Sequence, residues 1–298
     1  MKKLGISMTN GEYRRDCTLD EYLARIKKAG YYSIDLALYT YRKNILHPDW
    51  ASWAKDFRAS VEKAGLIVGQ AHAQTNLSIP TNLLYEPPPE IFHLNIKVCE
   101  ILSCKELVFH PAAYPDVVET EALYEKVVDY NVRWFQELIG PAKESGVHVN
   151  IENVNDIRPQ KLTAPFTRAS DMMELLEKIG EPSFGLCLDT GHAHIMSQDI
   201  PEMIRIFGKR LRTVHLHDNL GMISPAHPDQ HMFPGGGTID FPAVFRALHE
   251  CNFTGIINLE PGRFLSQMPL NVRDVAMAGG ALVVRAYIEC TRNADFMG

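Results

Sequence analysis

The feature that most constrains this chain is a unit that recurs along it: a short apolar run, a segment with helical spacing, and a glycine that closes it. Thr18-Leu19-Asp20-Glu21 has the form of a capping box, Leu19, Tyr22, Leu23 and Ile26 recur at helical spacing, and Gly30 stands where that helix must end. The spacing predicts a helix over 18–29, preceded by a strand-like run at 4–8 and followed by another at 33–38. Asp49 is positioned to cap the next helix, in which Trp50, Trp53, Ala54, Phe57 and Val61 share a face; Gly65 closes it, and 66–73 reads as a buried strand. Gly30 and Gly65 stand 35 positions apart, Gly146 and Gly180 34 apart, and the latter two again shortly precede strand-like runs.

Further strands are expected at 106–110, 147–152, 184–189, 211–216 and 255–260, with helical segments between them. Strict alternation calls for a parallel sheet. Eight units of this length call for a closed (β/α)8 TIM barrel rather than an open doubly wound sheet, and 298 residues suffice for a fold that needs about 250. No Gly-x-Gly-x-x-Gly follows the first strand, which removes the main support for a dinucleotide-binding fold. No linker divides the chain, so residues 1–298 are read as a single domain. Glu86-Pro87-Pro88-Pro89-Glu90 and the stretch 219–239 read as loops; the second is long enough to be a lid or a wall of the site.

Composition narrows the setting. A chain that is 46% hydrophobic and 22% charged is an ordinary globular one with a large core. No apolar run reaches the ~18 residues of a membrane span, and Asn10, Glu12, Arg14 and Arg15 interrupt any signal-like start. Six scattered cysteines without a Cys-x-x-Cys pair suggest reduced thiols and a cytoplasmic protein, with Cys187 a small buried hydrophobe. A net charge of −6 argues against a binder of the nucleic-acid backbone. Barrel helices often pair, so a homo-oligomer is expected.

In a barrel of this kind the working residues sit at the carboxyl ends of the strands. Reading those ends in order gives His72, His110, Glu152-Asn153, Asp189-Thr190-Gly191-His192, His215-Leu216-His217-Asp218 and Glu260. Taken singly, each is readily a hydrogen-bonding or capping group. Together they put carboxylates and imidazoles from six successive strands on one rim, where the acids repel unless a divalent cation joins them; this ligand set suits manganese, zinc, cobalt or magnesium. Glu152, Asp189, His215 and Glu260 are the expected ligands of one such ion.

Ile151-Glu152-Asn153, Leu188-Asp189-Thr190-Gly191-His192, Val214-His215-Leu216-His217-Asp218 and Leu259-Glu260 together resemble the xylose isomerase-like barrel superfamily, over nearly the whole chain. That superfamily includes sugar-phosphate isomerases and epimerases, dehydratases and endonuclease IV. The resemblance implies that Glu152, Asp189, His215 and Glu260 hold a metal and that His192 contacts a substrate oxygen. The arginine that ketose epimerases carry six residues after the strand-seven histidine is replaced by Gly221, which speaks against a ketose 3-epimerase. Asp229-Gln230-His231 and Pro234-Gly235-Gly236-Gly237-Thr238-Ile239-Asp240 resemble a loop of endonuclease IV. With that loop, His72, His110, Glu152, Asp189, His192, His215, Asp229, His231 and Glu260 match nine ligands of a three-metal cluster, so a second or third metal is an open alternative.

The expected reaction is isomerisation or epimerisation of a small carbohydrate, with Glu152 and Glu260 moving a proton beside a metal-polarised carbonyl. His217 either orients a ligand or caps a turn. Arg263 could reach a substrate phosphate or hydroxyl, as could the basic loop of Arg158, Lys161 and Arg168. The rivals are a dehydratase or lyase on the same scaffold and an endonuclease acting at abasic sites. For the last, the Tyr39, Tyr41, Arg42 and Lys43 segment offers aromatic and basic groups to DNA, whereas Ala73-Gln74-Thr75-Asn76 lacks the aromatic that endonuclease IV inserts.

Overall fold

The computed structural model describes residues 6–9, 16–75, 77–156, 164–222 and 229–292. Eight parallel strands close on themselves in sequence order: β1 Ile6–Thr9, β2 Ser33–Ala37, β3 Ile67–His72, β4 Glu106–Phe109, β5 His148–Glu152, β6 Gly185–Asp189, β7 Leu211–Leu216 and β8 Ile256–Leu259. The last pairs with the first, Ser7 opposite Asn258. Each expected strand is present within two residues of its reading, and the chain is a TIM barrel.

Local chemistry sets the helices. Thr18 and Glu21 form the expected capping box ahead of Leu19–Lys28, whose Tyr22, Leu23 and Ile26 are buried. Gly146 and Gly180 end their helices in the left-handed conformation, at φ +63° and +73°. Asp49 departs from expectation: it precedes the helix Trp50–Lys63 but its side chain makes no capping hydrogen bond. Among the described residues no helix is long and apolar enough to cross a membrane.

The apolar core lies between the strands and the ring of helices, while the barrel lumen is polar. Side chains two apart along a strand point the same way, so the inward positions pair up as Gln70 and His72, Asn150 and Glu152, Cys187 and Asp189, Thr213 and His215, Asn258 and Glu260. The lower member of each pair is buried. Beside them, Asp35 Oδ2 accepts hydrogen bonds from Thr9 Oγ1 at 3.1 Å and Asn258 Nδ2 at 3.2 Å. The upper members crown this polar plug at the carboxyl-terminal mouth.

Candidate metal centre

Strand register brings the rim residues together. Asp189 is the direct partner of His215, and His215 is the partner of Asn258, two residues before Glu260. Asp189, His215 and Glu260 accordingly bring one ligand atom each within 4.8 Å of one another. Glu152 joins through His215, whose Nδ1 lies 3.2 Å from Glu152 Oε1 and 3.3 Å from Glu260 Oε2. Donor atoms held ~2.1 Å from one ion stand roughly 3.0–3.4 Å apart, and these separations fall in that range. His215 Nδ1 is completely buried and has no hydrogen-bond partner besides these two carboxylates at its side.

Glu152 faces two ways. Its Oε2 lies 3.1 Å from His72 Nε2 and 3.3 Å from His110 Nε2, and these two nitrogens are 3.2 Å apart. A third group forms where His192 Nε2 and His231 Nε2 approach Asp229 Oδ2, at 3.4 and 3.2 Å. Three of the four imidazoles in these groups are oriented alike. The Nδ1 of His72 donates to Ala73 O, that of His192 to Asn153 O, and that of His231 to Glu260 O, at 3.0, 3.0 and 2.8 Å. A main-chain carbonyl that takes the Nδ1 proton leaves Nε2 as the ligating nitrogen, the usual arrangement around a bound metal.

The charges show what a cation would balance. Burial would raise the pKa of Glu152, but the fields of His215 and His110 outweigh it and hold the carboxyl well below its usual range. Burial would likewise discharge His192 and His231. The charge of Asp189 and the contact with Asp229 carry His192 up to about 10 instead, and Asp229 carries His231 up to about 9. His72 is raised by Glu152 against the same burial penalty, whereas at His110 burial prevails and the pKa falls. Carboxylates this closely packed draw protons onto the imidazoles; a divalent ion would displace those protons on binding.

The loop after β7 contributes Asp229 and His231, and Asp218 holds it in place. Its Oδ2 accepts the N–H groups of Gly235 and Gly237 at 2.9 and 2.8 Å and its Oδ1 that of Ile239 at 3.2 Å, while Asp218 and Met232 exchange two main-chain hydrogen bonds. A Cβ at Gly237 would fall 2.5 Å from Asp218 Oδ1, so no larger residue fits. The described part of this long loop is thus a wall of the site. His217, buried, donates from Nε2 to Asp189 Oδ1 at 2.9 Å and stacks on His231 at 3.8 Å. Gly191 permits that packing: a Cβ there would lie 1.9 Å from the His217 ring.

The side chain of Arg263 lies outside what is described, as do Arg158 and Lys161, and Arg168 is paired with Asp171 at 2.9 Å. Tyr41 is 1% exposed and packed against Trp53 and Phe57, and so is not available to stack on a base. Two further residues support the ligands, of which Asn153 was read only as part of a strand end and Gln70 was not read from the sequence. Gln70 Nε2 lies 2.7 Å from His215 Nε2, and Asn153 brackets Asp189 by accepting from its N–H at 2.8 Å and donating to its carbonyl at 3.0 Å. Gln70 stands two residues before His72, and that spacing is the signal that could have revealed it.

Barrel and rim together define the class, and sequence comparison names it: the model of the xylose isomerase-like TIM barrel matches residues 23–274, and the chain belongs to that family. It is 27% identical over 173 residues to the inosose isomerase of Bacillus velezensis, covering 57% of this chain and 58% of that protein. It is 24% identical over 183 residues to a probable endonuclease 4 of Mycoplasma mycoides, covering 58% and 59%. The chain therefore spans somewhat over half the length of these curated relatives. Its fold matches the crystal structure of a D-tagatose 3-epimerase-like protein with a TM-score of 0.74 and 18% identity, over 97% of this chain and 98% of that one.

Proposed function

We propose that this protein is a metal-dependent isomerase or epimerase of a small polyhydroxylated carbonyl compound, a sugar, sugar phosphate or cyclic polyol. The observation that carries this reading is the approach of Glu152 and Glu260 to His215 Nδ1, at 3.2 and 3.3 Å, with Asp189 within 4.8 Å of ligand atoms of His215 and Glu260. Those four residues would hold one divalent ion, manganese, zinc, cobalt or magnesium, which when bound polarises a carbonyl oxygen. The reaction needs one group to take a carbon-bound proton and another to return it, work that typically contributes ~100- to 10,000-fold. Glu152 and Glu260 fill these roles, one at the end of β5 and one just after β8, both close to His215 Nδ1. Glu260, with 14% of its side chain exposed, is the nearer to solvent; Glu152 is 1% exposed and held by imidazoles on both oxygens. His192 is suited to a substrate hydroxyl, His217 orients Asp189, and Arg263 follows Glu260 closely enough in sequence to serve a substrate oxygen.

A second reading is favoured by one specific observation, the additional donor groups at His72, His110 and Glu152 and at His192, Asp229 and His231. They would allow a multinuclear site and phosphodiester hydrolysis at abasic DNA, to which the buried Tyr41 and the negative net charge are both unfavourable.

The test is a screen of ketoses, their phosphates and cyclic polyols in deuterated water with added manganese, following label uptake and product mass. Uptake at unchanged heavy-atom composition is expected; loss of water would assign a dehydratase. Cleavage of an abasic duplex without exchange into any sugar would replace this reading with the second.

A further inference from the structure

The last described helix, Leu270–Arg292, is apolar on two faces. One face, with Met277, Ala281, Val284 and Ile288, is buried against the barrel. On the other, Val272, Val275, Leu282 and Val283 are 45, 73, 65 and 39% exposed, and they are four of the eleven large hydrophobic side chains exposed among the described residues. Single exposed apolar residues are ordinary, whereas several on one face mark a contact surface. Val272, Val275, Gly279, Leu282 and Ala286 follow one another at intervals of three, four, three and four, the repeat along which two helices interlock. The charged side chains beside this stripe turn away from it, Asp274 to Arg25 at 2.5 Å and Arg285 to the Gly30 carbonyl.

The stripe is its own complement. A two-fold axis through Gly279 sets two such helices antiparallel and brings Val275 opposite Val283 and Val272 opposite Ala286, so that the bulk on one copy meets matching or smaller bulk on the other. A Cβ at Gly279 would meet nothing within 4 Å, which leaves the crossing point free for two backbones to approach. A membrane surface calls for Lys and Arg along the flanks, whereas Asp274 and Glu289 stand there with Arg285. We infer that this helix is a homodimer interface, on which a second copy of the chain docks antiparallel about an axis at Gly279. The stripe is ~21 Å long and ~10 Å wide on each copy. That is small beside the ~1,200–2,000 Å² buried in stable complexes, so the dimer exchanges with monomer in the micromolar range. The inference is independent of the reaction proposed above.

Sedimentation equilibrium of the full chain tests it. The mass is expected to rise from the 33.6 kDa of one chain to twice that as concentration passes through the micromolar range. Val275→Asp and Leu282→Asp, both at exposed positions, should each weaken association by at least about tenfold, with circular dichroism unchanged. Gly279→Cys, in a Cys290→Ser background that removes an exposed native thiol, should cross-link to its own copy on oxidation with copper phenanthroline and revert with dithiothreitol. A chain that stays monomeric at millimolar concentration, a dimer indifferent to both aspartates, or a Gly279→Cys dimer that does not cross-link would each overturn the inference.

Discussion

The two mouths of the barrel both gather titratable groups, half-buried at one and mostly buried at the other, and they hold them differently. At the amino-terminal mouth Glu106, at the start of β4, receives His148 Nδ1 at 3.0 Å and Asn150 Nδ2 at 2.9 Å, and Arg212 Nη1 lies 3.1 Å from the same His148 nitrogen. Here a guanidinium stands beside the carboxylate's own imidazole partner. At the carboxyl-terminal mouth Glu152, Asp189, Asp229 and Glu260 are surrounded by imidazoles, with no Lys or Arg paired to them among the described residues. The amino-terminal cluster includes a cation of its own; the acid-rich carboxyl-terminal one, its imidazoles turned toward the carboxylates, is what a bound cation would complete in the reading proposed above.

That contrast is open to direct attack, most forcefully at the carboxylates. Glu152→Gln is expected to lower kcat by at least ~100-fold, and Glu260→Gln likewise, with the circular dichroism spectrum unchanged. Turnover preserved in both variants would end their assigned role. Stripping divalent ions comes next. An ion at a hundred times its Kd adds ~2.7 kcal/mol, and at ~2–4 °C per kcal/mol for a large domain a chelator should lower Tm by about 5–10 °C, reversibly on adding manganese. A melting curve insensitive to chelation would make the upper mouth as self-sufficient as the lower.

The next pair of substitutions should split the two mouths. Gln70→Ala leaves His215 Nε2 without its amide partner and is expected to weaken manganese binding by ~10- to 100-fold. Glu106→Ala is expected to cost ~1–3 kcal/mol of stability in denaturant melts and to leave metal affinity within about twofold. The reverse pattern would erase the distinction. The smallest effect belongs to Asp35 between the mouths, whose pKa burial pushes up to about 6 from 3.8. Because the folded state binds this proton more tightly than the unfolded chain, stability falls as pH rises from about 4 to 6 and stays lower above that. Asp35→Asn should therefore gain up to about 2 kcal/mol relative to the parent at pH 8 and less at pH 5; a gain independent of pH would mean that Asp35 titrates normally.

Much of this was legible in the chain itself, for identifiable reasons. Apolar runs that end in His, Glu or Asp mark both the strands and their carboxyl ends, and the rule that barrels work at those ends turned six scattered positions into one rim. The polar lumen was not read: strands buried on both faces read as continuous apolar runs, and Gln70 and Asn258 are marked as inward-facing only by standing two residues before His72 and Glu260. The burial of Tyr41 depends on Trp53 and Phe57 from the following helix, a tertiary fact that the Tyr39 to Lys43 segment does not carry. Asp49 has the residue type of a helix cap but not the hydrogen bond, because its backbone stands at φ −90°, ψ 21° instead of the extended conformation from which Thr18 caps.

The most direct test of the central claim is an anomalous difference map from a crystal grown with manganese, measured at the manganese edge. A peak enclosed by Glu152, Asp189, His215 and Glu260 is the predicted result, with any further peaks at His72 and His110 or at Asp229 and His231 counting the additional ions. A well-ordered rim with no peak among those four side chains at millimolar manganese would contradict the account.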